Sequence, residues 1–387
     1  MVTLNSADSV LKSFYLDAVT ETLNTKINPF LAKIEKTSEN VTGKEVRKVL
    51  SCGFNNGIGA GSETGNLPTA NGNQYHQIVV PLKNFYGTIE ISDKAIRASA
   101  NSDGAFVNLL NDEMRTLINT AKYNFGRMLY GDGSGILSTV TSVNTSEENS
   151  FYVDNPQNFV AGMLVDAIRP GQDRVKSVKV KIVNVDEKYV IFDSRADFGT
   201  TDNMYFVLPG TLMEGHELCG LTAIIEGDML YGLDRDIPGM KAYCNKEAEH
   251  PYDEIIQKAI DTIEGVSGCR PNMIICSADV RRAIMLHQRD YGVKLPTMKL
   301  EDGSTVLDYY GIPVIVDRFC PEKTMYLLNT DFFKLHQLCD WQWLETEDGK
   351  ILKQTPGKPV YTATLVKYAE LVCDNPSAQG MLYFDAM

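Results

Sequence analysis

Apolar residues recur at helical spacing in two stretches of the chain. Val10, Leu11, Phe14, Ala18 and Leu23 mark one face of a short helix that starts after Asn5 and Ser6 and ends before Asn28-Pro29. Phe106, Leu110, Met114, Leu117, Ala121, Phe125 and Met128 recur at steps of four and three, while Asn108, Asp112, Arg115, Asn119 and Lys122 fall on the other side. The second pattern predicts a helix over 103–130, capped by Ser102 or Asp103 and stopped at Gly131. At 1.5 Å per residue it is a rod of about 42 Å. A rod of that length suits a flat or elongated molecule better than a compact globule.

Between the two helices the period changes. Residues 45–50 read as a strand, and 77–91, with Ile78-Val79-Val80, Tyr86, Ile89 and Ile91, as further strand. The intervening stretch, 53–76, holds Gly53, Gly57, Gly59, Gly61, Gly65 and Gly72 and few large apolar groups. It cannot offset its own ordering entropy by building a core. The expectation is a long hairpin arm whose tip is held by something outside its own domain. Farther on, Val178, Val180 and Ile182 alternate with Lys179 and Lys181, and Asp186-Glu187-Lys188 turns the chain into the strand 189–192. A small β-module is expected there. A second α/β core follows, with helices over 254–263 and 278–287, the latter capped by Ser277, and strands over 273–276, 313–316 and 325–328. From Trp341 on the chain is β-rich, and 361–372 and 381–384 are expected to pair around Asp374-Asn375-Pro376.

Composition narrows the function. The chain has 387 residues, enough for two or three modest cores, and a formal charge of −13. Excess carboxylate disfavours sequence-independent binding to a polyphosphate, where Lys and Arg must replace released counterions. No apolar run reaches the roughly 20 residues of a membrane-spanning helix, and residues 1–12 do not read as a signal peptide. A soluble protein made in the cytosol is the expectation. The eight cysteines include no C-x-x-C pair and read as reduced core residues. His76, His216, His250, His287 and His336 occur singly, and His287, near Arg281 and Arg282, reads as a surface residue.

Gly57-Ile58-Gly59-Ala60-Gly61 lacks the helix that a dinucleotide loop requires after it. Gly131-Asp132-Gly133-Ser134-Gly135 follows a helix and lacks the phosphate-loop lysine. Asp234-Arg235-Asp236 reads as an ion pair or loop clamp. No catalytic, cofactor or metal site is expected, although a Cys–His pair assembled from distant segments is not excluded by sequence order.

Asn28-Pro29-Phe30-Leu31, the loop wording from Gly61-Ser62-Glu63-Thr64-Gly65 to Pro68, the run Lys83 to Ser92, Asn124-Phe125-Gly126-Arg127, Tyr130-Gly131-Asp132-Gly133, Gly220-Leu221 and Tyr231 to Arg235 follow one another in an order that resembles the major capsid proteins of tailed bacteriophages. Those proteins share the Hong Kong ninety-seven shell fold. The resemblance implies an α+β chain divided into an N-terminal helix and arm (1–44), an extended loop (45–90), a peripheral domain on the spine helix (91–150), an inserted β-domain (151–212), an axial domain (213–335) and peripheral C-terminal strands (336–387).

It also implies a non-enzymatic protein without cofactors that tiles an icosahedral shell as hexamers and pentamers. The shell would be assembled in a bacterial cytoplasm around double-stranded DNA held without sequence-specific contacts, with scaffolding, portal and decoration proteins as partners. A separate scaffolding protein is expected, since only a short helix precedes the arm. Lys83 lies at the root of the loop rather than its tip, so the family's lysine–asparagine cross-link is not expected. The expected contacts between subunits are Phe54, Gly57, Gly59, Gly61, Glu63 and Tyr75 on the loop, with Arg115, Lys122 and Arg127 on the spine as partners of Glu63. Arg174, Lys176, Lys179 and Lys181 of the β-module face either a neighbour or solvent. The rival readings are a cargo-enclosing encapsulin-type nanocompartment and a cytosolic enzyme.

Overall fold

The computed structural model describes residues 28–52, 57–66, 69, 72, 74–95, 105–144, 147–169, 176–193, 204–211, 215–290, 292, 296–300, 303, 305–345 and 349–385. The expected helix within 1–27 and the caps at Ser102 and Asp103 lie outside them. A short helix absent from the sequence reading, Pro29–Lys33, starts instead at Asn28, whose Oδ1 accepts from the Leu31 N–H at 3.0 Å.

The spine helix runs Ala105–Met128, about 36 Å of rod. It lies across a five-stranded sheet in which Val360–Cys373 pairs on one side with Lys83–Ser92 and on the other with Phe333–Trp343 and Lys353–Gln354, and Glu35–Thr37 pairs in parallel with Phe333–Trp343. Met114, Ile118, Phe125 and Met128 of the helix are buried in one core with Phe85, Ile89, Leu365 and Leu371 of the sheet. Edge-to-face ring contacts pin it, Phe85 to Phe125 at 5.7 Å and Phe125 to Trp341 at 6.2 Å. Gly87 lets the helix approach, since a Cβ there would stand 2.9 Å from Leu117 Cδ1.

The second core is a seven-stranded sheet in the order Tyr243–Ala248, Gly380–Phe384, Thr324–Leu328, Met273–Cys276, Ile312–Val316, Thr305–Tyr309, Thr297–Lys299. Helices Asp253–Ser267 and Ala278–Asp290 cover one face through Ile256, Ile260, Ile263, Val280 and Ile284. The other face, with Ile275, Tyr326 and Leu328, joins the core beneath the spine helix. The two sheets are therefore two sides of one hydrophobic mass. The expected hairpin of 361–372 with 381–384 does not form. Asn375 leads into the short 3-10 helix Pro376–Ala378, and the last strand pairs with Thr324–Leu328 and Tyr243–Ala248 in the second sheet. Residues 380–384 thus leave the region expected to hold all of 336–387.

The β-module is a closed six-stranded barrel with its own core around Phe151, Phe192 and Phe206. Its first strand, Ile136–Asn144, lies before the expected boundary at 151, and its second, Ser150–Val153, straddles it. A closed barrel requires those strands, because without them two edges of the curved sheet stay open. Asp154 fixes the junction, accepting from the Thr139 N–H at 2.8 Å. Lys179 and Lys181 lie exposed on the barrel, and Arg174 lies outside the described residues.

Candidate inter-subunit surface

Strands Glu45–Cys52 and Gln74–Pro81 pair in register from Glu45 opposite Pro81 to Cys52 opposite Gln74, which is the expected hairpin arm. Opposed residues share a face, so the pattern divides cleanly. Val46, Ile78 and Val80 point inward and pack with Val372, and Lys48 Nζ binds Asp374 Oδ1 at 2.6 Å. The root of the arm is held by its own chain. On the outward face Val49 is 67% exposed, Tyr75 66% and Val79 41%. Beyond the strands, 58–66 are exposed, with Ile58 at 83%. The arm thus carries Val49, Tyr75 and Val79 on its outer face and Ile58 at its tip as apolar groups that its own chain leaves in water.

A groove of about 710 Å³ lies where the strand after the arm meets the spine helix and the segment 208–217. Leu117, Ala121, Phe125, Met128, Leu208 and Trp341 give it an apolar lining. Asn124 also lines it, and the buried Oδ1 of Asn124 has no hydrogen-bond donor among the described residues.

The predicted contact residues divide between arm and spine. Gly57, Gly59, Gly61 and Glu63 lie on the tip, with Glu63 exposed, and Tyr75 lies on the outer face; Phe54 is outside the described residues. Arg115 is exposed on the spine. Lys122 is buried rather than on a solvated face, and burial pushes its ammonium below the ordinary lysine value. Lys122 lies one turn from Ile118 and beside Phe125 on the helix, and all three are buried, so it belongs to the covered side of the spine. Arg127 is also buried, and it pairs inside its own chain with Glu217, itself 4% exposed. Its charge is directed inward, which leaves Arg115 as the exposed cation of the three.

Several determinants escaped the sequence reading. Glu217 and Asn124 are two, and Glu370 and Lys367 are others. The last two had a visible signal: single charges inside the apolar strand run Leu365 to Cys373. Lys367 Nζ donates to Asp340 at 2.6 Å and Gln337 at 2.8 Å beneath the Phe125 and Trp341 rings. Lys83 Nζ is engaged by the Gly215 carbonyl. Arg235 donates to the carbonyls of Gly227, Met240 and Ala223 at 2.8–3.0 Å, so the loop-clamp reading of Asp234-Arg235-Asp236 holds. His287 is half-buried and stacked on Tyr252. Cys276, Cys320 and Cys373 are buried free thiols, whereas Cys244 is exposed.

Glu370 ties the central sheet to the segment entering the second core, Oε1 accepting from the Cys219 N–H at 2.9 Å and the Leu371 N–H at 3.0 Å. Burial pushes its carboxyl up from 4.5 to about 7, against the opposing pull of the two backbone donors and of Lys83. The folded chain therefore holds this proton more tightly than the unfolded one. The stabilisation is complete below about pH 4.5 and is lost as pH rises through about 7. Urea unfolding should show stability falling by up to about 3 kcal/mol from this group across that window, and Glu370→Gln should flatten the slope. An unchanged slope in Glu370→Gln would show that another group sets it.

Among the described residues no group of three or more His, Cys, Asp or Glu side chains is placed to hold a metal ion, and no helix is long and apolar enough to cross a membrane. No protein-family model and no curated protein sequence matches the chain. Solved structures do. The chain is similar to a protein of the cyanophage A-1(L) capsid asymmetric unit, with 11% identity, a TM-score of 0.54, and 92% of this chain and 91% of that one covered. The fold is that of shell-forming capsid proteins. The holo-SrpI encapsulin complex of Synechococcus elongatus PCC 7942 is also similar, at 11% identity and a TM-score of 0.50 over 94% of this chain and 90% of that one. At that identity the likeness belongs to the backbone path. In this shell fold the spine helix, the arm and the two sheets account for most of the described chain, and the whole length of each neighbour is nearly spanned.

Proposed function

We infer that this chain is the major capsid protein of a tailed bacteriophage, assembling as hexamers and pentamers into an icosahedral shell around double-stranded DNA. The observation that carries the inference is the arm, rooted in its own core while its outer face and tip stay in water. Burying Val49, Ile58, Tyr75 and Val79 against another copy recovers roughly 25 cal/mol for each Å² of apolar surface covered. Several such contacts per subunit sum to a robust shell although each is individually weak. The groove beside the spine helix offers a neighbour's arm an apolar bed and an unused acceptor at Asn124. The acidic balance of the chain also suits a container that must not pin its contents. Scaffolding, portal and decoration proteins are the partners such a shell implies, with the barrel's exposed Lys179 and Lys181 a surface for one of them.

The likeness to an encapsulin complex supports a second reading, a protein-filled nanocompartment. Electron microscopy of particles formed with and without co-expressed neighbouring genes, followed by analysis of their contents, separates the two. Shells of uniform diameter that need a scaffold and protect DNA from nuclease support the phage reading. Shells that form alone around an enzyme support the other, and a small oligomer overturns both.

A further inference from the structure

The two helices of the seven-stranded core carry opposite charge on their outer faces. On Ala278–Asp290 the exposed residues Arg281, Arg282, Met285, Leu286 and Arg289 are spaced three and four apart and form one continuous face. Met285 and Leu286, 40% and 50% exposed, stand among the three arginines. On Asp253–Ser267 the exposed Glu254, Asp261 and Glu264 outnumber Lys258. A shallow depression of about 550 Å³ opens there, lined by Glu254, Gln257, Lys258, Asp261 and Thr262.

Among the described residues Arg281, Arg282, Glu254 and Glu264 make no ion pair, Arg289 pairs with its neighbour Asp290 at 3.8 Å, and Asp261 accepts from Gln257 of its own helix at 2.6 Å. The helices are nevertheless fixed to one another and to the sheet. The Tyr252 ring stacks on His287 at 4.0 Å, and the Tyr309 hydroxyl donates to the Asp253 carbonyl at 3.1 Å. The cationic rim around two large apolar side chains has the apolar-centre, polar-edge anatomy of an interface, and the depression on the other helix, lined by polar and charged residues with carboxylates in excess, carries the complementary charge.

We propose that the Arg281–Arg282–Met285–Leu286 face of one copy packs on the Glu254–Asp261–Glu264 face of the next. Met285 and Leu286 enter the depression, and the guanidinium forks engage Asp261 and Glu264. The contact proposed is head-to-tail: each added copy leaves one of each face free and the series ends only when a ring closes, whereas a two-fold pairing that used both faces of both copies at once would stop at a closed dimer. The inference rests on the shell reading and names the surfaces that close its rings.

Charge reversal tests it. Arg281→Glu with Arg282→Glu, or Asp261→Arg with Glu264→Arg, should each lower the yield of rings and particles at least tenfold while circular dichroism shows a folded chain. All four changes in one chain should restore assembly. Mixing the two defective chains gives a second readout that does not need the quadruple variant to fold. Alternation of the two satisfies every contact in a ring of six and cannot do so in a ring of five, so six-membered rings should return without closed shells. Undiminished particles from either reversal, no recovery in the quadruple variant or the mixture, or closed dimers in place of rings would overturn the proposal. Wild-type chain that forms no particles under any condition would instead remove the shell reading beneath it.

Discussion

Replacing residues 53–73 by a two-residue Asn-Gly turn abolishes particles while leaving a folded monomer of unchanged stability. Cys52 and Gln74 are directly opposed, so a two-residue turn closes the shortened hairpin without disturbing its register. The apolar contacts that anchor the arm, Val46, Ile78 and Val80 with Val372, all survive the excision. So does the Lys48–Asp374 pair at 2.6 Å. Of what is removed, residues 58–66 contribute surface that a single copy leaves in water, Ile58 above all. The unfolding midpoint should therefore stay within about 0.5 kcal/mol of the parent in free energy, the usual range for surface changes. Sedimentation should show the parent as particles and the shortened chain as monomer. Particles of normal size from the shortened chain would mean that the arm's tip is not what joins the copies.

The second large effect is internal. Gly220 starts the helix Leu221–Glu226 directly over the turn that ends the spine helix. A Cβ at that position would stand 2.5 Å from both the Met128 and the Gly131 carbonyl oxygens and 2.7 Å from the Gly131 nitrogen. All three are backbone atoms, and two of them bond each other, the Gly131 N–H donating to Met128 O at 3.1 Å; the Leu221 N–H, donating to Leu129 O at 2.8 Å, holds the two segments at this distance. None can swing aside as a side-chain tip would. Its φ of −77° is open to any residue, so the constraint is close approach and not backbone conformation. Gly220→Ala should cost about 3 kcal/mol or more, at the upper end of overpacking changes. Gly265→Ala is the control, since a Cβ there meets nothing within 4 Å and the position is helical. It should gain up to about 1 kcal/mol. Urea denaturation of both variants checks the pair, and equal stability would refute the packing argument.

Much of this architecture was legible in the sequence because its elements are strongly periodic. The spine announced itself by Met114, Leu117, Ala121, Phe125 and Met128, and the strand Met273–Cys276 by an unbroken apolar run buried on both sides. The glycine-rich stretch stood out because it lacks anything to bury. Partnership was far less legible. Met381 to Phe384 reads as a strand, but nothing within it says that its neighbours are Thr324–Leu328 and Tyr243–Ala248 and not the strand just before it. Arg127 looked like a surface cation because its partner Glu217 is 90 residues away. Lys122 looked solvated because a helical pattern shows which stripe is most apolar, and not how many neighbours cover the rest. The first barrel strands were hidden by their hydroxyls, several of which serve hydrogen bonds such as those from Thr139 and Ser138 to Asp154.

The most direct test of the whole account is a cryo-electron microscopy reconstruction of the purified full-length chain under assembly conditions. Closed shells are expected, with density for residues 57–66 of each subunit lying on the spine helix of its neighbour. A homogeneous monomer, with that segment packed against its own body, would contradict it.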